Sequence, residues 1–249
     1  MGDAVTLSAS TKALASCPRR IALLANGRRH GVITRLITPW AIGELTHPFV
    51  LLSYAEVTQR SRPLFRHYSP SGVATLSVVL NGQLSFEDAS GRQGEVGAAG
   101  LAWMKAGSLV WHEGGRALRE PLRMFQVGIV QQGLQQLAPA SECLAPDEVE
   151  QDGPVRVVLG QFGRARSRIG HAPVDVNCLH VRLEDGQRFR YETPDGHQRT
   201  WLAVDRGGLE LHAGEHVYWG QIALFADSAG AIEAQAEGAT SFVLGSARM

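Results

Sequence analysis

Nine histidines and three cysteines are the side chains of this chain best suited to metal or acid–base chemistry, and their spacing decides how many can act together. His171, His180, His197, His212 and His216 crowd the C-terminal half. No two of them form the His-x-His pair that sets imidazoles on one strand face, and His212 and His216 flank a Gly-Glu turn, so surface or turn positions are expected. Cys17, Cys143 and Cys178 are odd in number, widely spaced and without a C-x-x-C pair, which reads as buried or incidental thiols in a reducing compartment. His112 differs, being bracketed by Trp111 and the pair Gly114-Gly115 in a strand-like run. It either fills core space against a hydrogen-bonding neighbour, or binds a ligand or serves as a general base near neutrality. Arg164, Arg166 and Arg168 alternate at period two, so they share a strand face or a loop edge. Without interleaved aromatics that run reads as a solvated loop, and no nucleic-acid partner is evident. There is no G-x-S-x-G elbow and no strand-to-helix phosphate loop, so no catalytic residue is assigned.

The elements that must position these side chains are short strands. The 28 glycines and 11 prolines cut the 249 residues into brief segments, and helical periodicity almost nowhere lasts three turns. Val73 to Leu80, the dipeptide Asn81-Gly82, and Gln83 to Asp88 read as a hairpin with a type I′ turn. Further strands are expected at Leu101 to Met104 and at Leu122 to Val130, where Met124, Gln126 and Gly128 alternate with Phe125, Val127 and Ile129. The stretch from Gln131 to Gly153 is rich in Gln, Pro and acid and reads as a linker without strands. Beyond it, strands are expected at Val155 to Leu159, Val176 to Leu183, Gln187 to Tyr191, Arg199 to Val204, Gly208 to His212, Gln221 to Phe225 and Ser241 to Leu244. Glu184-Asp185-Gly186, Pro194-Asp195-Gly196 and Arg206-Gly207-Gly208 supply the tight reversals between some of these.

Hydrophobic residues make up 44% and charged residues 19%, the balance of a packed protein. Lys plus Arg equals Asp plus Glu at 24 each, so no global field recruits nucleic acid or an anionic membrane. No apolar run reaches the length of a membrane span or signal-peptide core, and a cytoplasmic location is expected.

Two stretches carry a family resemblance: GVATLSVVLNGQLSFEDASGRQGEV at Gly72 to Val96, and WMKAGSLVWHEGG at Trp103 to Gly115. They resemble the hallmark segments of pirin-like bicupins, with support from HGVITRLITPWAIGELTHPFVLLSYAEV, ECLAPDEV and DVNCLHV. The resemblance implies an all-β bicupin fold, two consecutive β-barrels of the RmlC-like jelly-roll type. The expected layout is an N-terminal extension at 1–20, a first cupin barrel at 21–133, a linker at 134–153 and a second barrel at 154–249.

In that family the N-terminal barrel holds a mononuclear metal, usually iron. Its ligands are an H-P-H-x-G segment, the strand histidine of W-M-x-A-G-x-G-x-x-H, and often a Glu two residues beyond. Some members are described as quercetin 2,3-dioxygenases and others as transcription-linked regulators. Here the H-P-H-x-G positions fall on Tyr68, Ser69, Pro70, Ser71 and Gly72. His112 matches the strand histidine, while Gly114 stands at the carboxylate position and Glu113 is displaced by one. A solitary imidazole does not hold a labile divalent ion, so a degenerate site without cofactor is expected, and function through a small molecule in the N-terminal barrel or a protein partner. The alternative is a dioxygenase using Fe(II) or another divalent metal on His112, His67 and Glu113. Against it, His67 lies one residue before the ligand segment, an offset that ordinarily turns a side chain to the opposite strand face. The residues alone leave open whether the protein is an enzyme.

Overall fold

Apolar and β-branched residues run through Phe49–Val57, Val73–Asn81 and Leu122–Val130, and these three strands pair antiparallel as the centre of a seven-stranded sheet. Its order is Ser141–Leu144, Leu101–Met104, Val73–Asn81, Leu122–Val130, Phe49–Val57, Ile33–Ile37, Arg28–His30. The computed structural model describes residues 17–58, 65–68, 72–87, 93–104, 109–112, 120–130, 141–170 and 173–249, with backbone alone at 65–68, 86–87 and 109–112. A four-stranded sheet runs Phe65–Tyr68, Leu109–His112, Gln83–Glu87, Gln93–Gly97. A nine-stranded sheet is built on Arg199–Leu211, Ile232–Ala247 and Val176–Leu183. The chain is therefore all-β, as its alternation implies, and none of its described helices is long and apolar enough to cross a membrane.

Three apolar layers hold the sheets. Because alternate strand residues face opposite ways, the seven-stranded sheet buries both faces. One face packs Val57, Val79, Met104, Leu122 and Met124 against Leu84 and Val96 of the four-stranded sheet. The other packs Leu76, Trp103, Phe125 and Val127 against Cys178, Trp201, Ala203 and Val243 of the nine-stranded sheet. The third layer lies inside the nine-stranded sheet, where Leu179, Leu202, Phe242 and Leu244 meet Phe189, Tyr191 and Val217. At one margin of the middle layer Arg123 faces the buried Asp205 at 3.7 Å, and Arg182 donates to the Leu80 carbonyl at 3.0 Å.

Several local expectations change. Asn81-Gly82 does not close a hairpin, because Val73–Asn81 and Gln83–Glu87 join different sheets. The dipeptide turns a corner instead: Gly82 has φ +74°, and a Cβ there would sit 2.8 Å from the Pro121 carbonyl oxygen. Asn81 Nδ2 donates to that same oxygen at 2.8 Å, tying the corner to the start of Leu122–Val130. Gly82→Ala is expected to cost about 1–2 kcal/mol in urea unfolding, since strained φ and carbonyl contact act together; an unchanged midpoint would refute the corner's role. Arg206-Gly207-Gly208 likewise is not a reversal, because Arg199–Leu211 runs through it as one strand with register shifts on both sides of Arg206. Those bulges bend the strand, so that its first half pairs with Gln221–Phe225 and its second with His216–Tyr218. The stretch expected to be a strandless linker contains Ser141–Leu144, an edge strand on Leu101–Met104, and Gln151–Asp152. An edge strand pairs on one side only, so the polar sequence SECL serves there without a strong alternation. Ile21–Asn26 pairs with Gln221–Phe225, which places it in the nine-stranded sheet.

Candidate functional site

Across the inner face of the seven-stranded sheet runs a polar row. Gln126 pairs with Ser53 on one side and with Ser77 on the other, and Ser77 pairs with Ala102. Directly paired residues of antiparallel strands project to the same side, so these four share the face that carries Val79, Met104 and Met124. All are buried, and Ser77 is fully so. Thr75, one strand repeat from Ser77, is buried on the same face. Among the described residues the Ser77 hydroxyl has no hydrogen-bond partner. These residues lie 24 and 49 positions apart along the chain, so no linear motif announced them. The readable signal was a polar residue in mid-strand at each place: Ser53 in FVLLSYAEV, Ser77 in VATLSVVLN, Gln126 in LRMFQVGIV.

The facing wall is the four-stranded sheet. Val110 is opposite His67, while His112 is opposite Phe65 on one side and Phe86 on the other. Leu84 pairs with Val96, both buried in the shared core, and Leu84 lies two residues from Phe86. Backbone register therefore gives positions 67 and 112 the parity of Leu84 and Val96, and gives Tyr68 and Trp111 the opposite parity. That reverses the expected consequence of the one-residue offset: His67, not the family position Tyr68, falls on the ladder face of His112. Glu113, Gly114 and Pro70 lie outside the described residues.

Among the described residues, three imidazoles and a carboxylate are not brought together as an iron shell would require. Register aligns two imidazole positions, and the opposite wall offers Ser53, Thr75, Ser77 and Gln126, neutral oxygens that rank poorly as ligands for a divalent transition metal. Glu56, Glu95 and Arg123 alternate with Val57, Val96 and Met124 and so occupy the other faces, whereas Arg35, the exposed cross-strand partner of Ser53, shares the face of the polar row.

In the C-terminal half the expectation of surface or turn histidines fails at His180, while His197 closes the turn from Pro194 but is buried rather than exposed. His180 is buried between the large sheets, 3.1 Å from Ser241 Oγ, and burial pushes its pKa down to about 3, with Arg182 and Arg156 adding to the shift. His197 is buried with Nδ1 2.8 Å from Ser246 Oγ. His212 sits in a short 3-10 turn, His216 stacks on Tyr218, and His171 lies outside the described residues. Cys178 is buried and its thiol pushed up to about 12 by burial, whereas Cys17 is exposed and Cys143 half-buried. Of the arginine stripe, Arg168 pairs with Glu150 at 3.1 Å and the Arg166 amide donates to the same carboxylate, which makes it an exposed loop edge. A cleft of about 550 Å³ opens beside Phe162, Asn177 and Tyr191. Its polar lining closes on itself, because Asn177 Nδ2 donates to Tyr191 Oη at 3.0 Å and that oxygen lies 2.7 Å from Ser246 Oγ.

Residues 32–129, which span the polar row and both histidine strands, match the family model described as Pirin. A pirin-like protein of Caulobacter vibrioides is 31% identical over 192 residues, covering 72% of this chain and 68% of that protein. The crystal structure of a quercetin 2,3-dioxygenase from Acinetobacter baumannii superposes with a TM-score of 0.81 at 18% identity, covering 93% of this chain and 88% of the other. That of the Escherichia coli pirin YhhW in complex with nickel(II) gives 0.65 at 16% identity, covering 91% and 99%. Identity of 31% to a pirin-like relative covered over two thirds of its length, together with the Pirin family model over residues 32–129, makes this chain a member of the pirin family.

Proposed function

We propose that the protein acts by binding a small molecule between the seven-stranded and four-stranded sheets, without the iron centre that the family resemblance implies. The observation that carries this reading is the donor set. At the family's ligand positions stand Tyr68, Pro70 and Gly114, and the opposite wall supplies hydroxyls and an amide rather than imidazoles and a carboxylate. Such a wall suits hydrogen bonding to an organic ligand, with apolar Val79, Met104 and Met124 beside it.

One relative's structure is named a quercetin 2,3-dioxygenase, which makes a flavonol the first ligand to try. Calorimetric titration of quercetin into protein held in chelator should show saturable binding with no dioxygen uptake. Elemental analysis of protein produced with iron, nickel, manganese and zinc supplied, repeated on His112→Ala, decides the alternative. Because positions 67 and 112 share a ladder face, a metal-dependent dioxygenase on His112, His67 and Glu113 is the competing reading. Metal near one equivalent in the parent, lost in the variant and accompanied by dioxygen consumption, would replace the first reading with the second.

A further inference from the structure

Beyond the small-molecule reading, we infer that the strand Ile21–Asn26 is a docking edge for an extended segment of a partner protein, apolar at its centre and acidic at both ends. From Cys17 to Gly43 the sequence contains no Asp or Glu but holds Arg19, Arg20, Arg28, Arg29 and Arg35. Arg19 is used inside the fold, where its guanidinium donates to Thr200 Oγ1 at 3.0 Å and to the Gly230 and His197 carbonyls. The other four are exposed, and among the described residues none of them forms an ion pair. Arg28 stands directly opposite Arg35 across the paired strands Arg28–His30 and Ile33–Ile37. Such a like-charged pair costs stability in the free protein and is relieved by a carboxylate from outside. The carboxylates nearby serve other groups: Glu215 accepts the Ile21 amide, Asp227 acts on Arg19, and Glu56 stands opposite Arg123.

The backbone defines the form of the partner. Ile21–Asn26 ends the nine-stranded sheet and, among the described residues, pairs on one side only, with Gln221–Phe225. The Gly27 amide donates to the Gly220 carbonyl, so by alternation Leu23 and Ala25 turn their backbone groups to that strand, while Leu24 and Asn26 turn theirs outward. A bulge between Ile21 and Leu23 and the Glu215 carboxylate on the Ile21 amide close the first turn of the edge, leaving it open from Leu24 onward. Leu24 is 42% exposed, and Trp219, 47% exposed, precedes Gly220 at the end where Arg28 begins. Arg20 lies before this apolar stretch, and Arg28 and Arg29 lie after it. A strand added here takes its affinity from main-chain hydrogen bonds and its selectivity from acids meeting those arginines. The outward carbonyls of Leu24 and Asn26 need N–H donors, which a peptide has and a phosphate chain lacks. A second copy is the wrong occupant, because antiparallel pairing centred on Leu24 sets Arg20 against Arg28 at both ends.

The probe is a fluorescein-labelled peptide about nine residues long, enough to reach from Arg20 to Arg28 at roughly 3.3 Å per residue, with alternating Thr and Val in the middle and Glu-Asp at each end. The full-length protein should raise its anisotropy saturably, with affinity falling as salt is added. The same peptide N-methylated at every central amide keeps its charge but cannot pair as a strand, and should bind about tenfold more weakly. Arg20→Glu combined with Arg28→Glu should weaken the acidic peptide about tenfold and admit a counterpart with Lys-Arg ends. Its melting temperature should stay level or rise, since Arg35 then faces a carboxylate. The milder pair Arg20→Gln and Arg28→Gln should weaken the acidic peptide about threefold and guards against a folding defect in the reversal. No saturable binding to the parent, equal affinity for the N-methylated peptide, or affinity unchanged in both double variants would each overturn the assignment. Tighter binding of an oligodeoxythymidylate of equal charge would overturn it too, and make these arginines a nucleic-acid contact.

Discussion

Trp201→Ala lowers the thermal unfolding midpoint by roughly 10 °C, the consequence of losing about 3–5 kcal/mol when a fully buried indole is truncated in a large protein. Trp201 is 0% exposed and stands at the junction of the two large sheets. Its ring meets Phe49 of the seven-stranded sheet edge to face, with centroids 5.2 Å apart and planes at 87°. Its cross-strand partner is Gly245, where an added Cβ would fall 2.4 Å from the indole. Glycine there makes room for the ring to lie flat on its own sheet. Trp201→Phe should cost much less, because it keeps a ring against Phe49 and removes an indole N–H that lacks a partner among the described residues. The seven-stranded sheet that Trp201 supports also carries Ser53, Ser77 and Gln126 on its far face. Loosening the middle layer should therefore weaken ligand binding as well as stability, despite the distance from the site. Equal midpoints for parent and Trp201→Ala in differential scanning calorimetry would show that the two sheets are held by something else.

How much of this was legible beforehand follows the range of the interactions involved. Leu122–Val130 is readable because its alternation is local, and the motif that marks His112 is contiguous. Asn81-Gly82 was misread because a dipeptide reports only that the chain can bend. Which sheet the next strand joins is set by Pro121 and Leu122, about forty residues away. Arg206-Gly207-Gly208 failed for a related reason, since glycines suited to a turn serve equally in a bulge once Ile232–Ala247 continues to pair alongside. The polar row Ser53, Gln126, Ser77 was invisible as a unit because sheet pairing alone assembles it from three strands. For His67 the strand periodicity was sound but its origin was not: the register with Leu109–His112, rather than the distance from the family motif, sets the parity.

Acidification destabilises this protein through His180, and His180→Gln flattens that dependence. The imidazole is buried against Ser241, and desolvation first, then Arg182 and Arg156, hold its pKa at about 3 instead of 6.5. In the unfolded chain the ring is hydrated and takes up its proton near 6.5. Between these values the unfolded state binds a proton that the fold does not, so the contribution is whole above about pH 6.5 and is lost as pH falls toward 3. The slope approaches about 1.4 kcal/mol per pH unit, or roughly 2–3 kcal/mol between pH 6.5 and 4.5. His197, lowered by burial as well, acts in the same direction. Asp205 opposes them: burial raises its pKa, so its share of stability grows as pH falls through the folded value and is lost as pH rises again. Glutamine keeps a hydrogen-bonding group beside Ser241 but does not titrate, which isolates the His180 contribution from Asp205 and His197. Melting temperatures of parent and His180→Gln measured from pH 7 to 4.5 should diverge by about 5–10 °C at the acid end. Parallel curves would mean that His180 is protonated in the folded state and that the charged margin of the middle layer accommodates a cation beside Arg182 and Arg156.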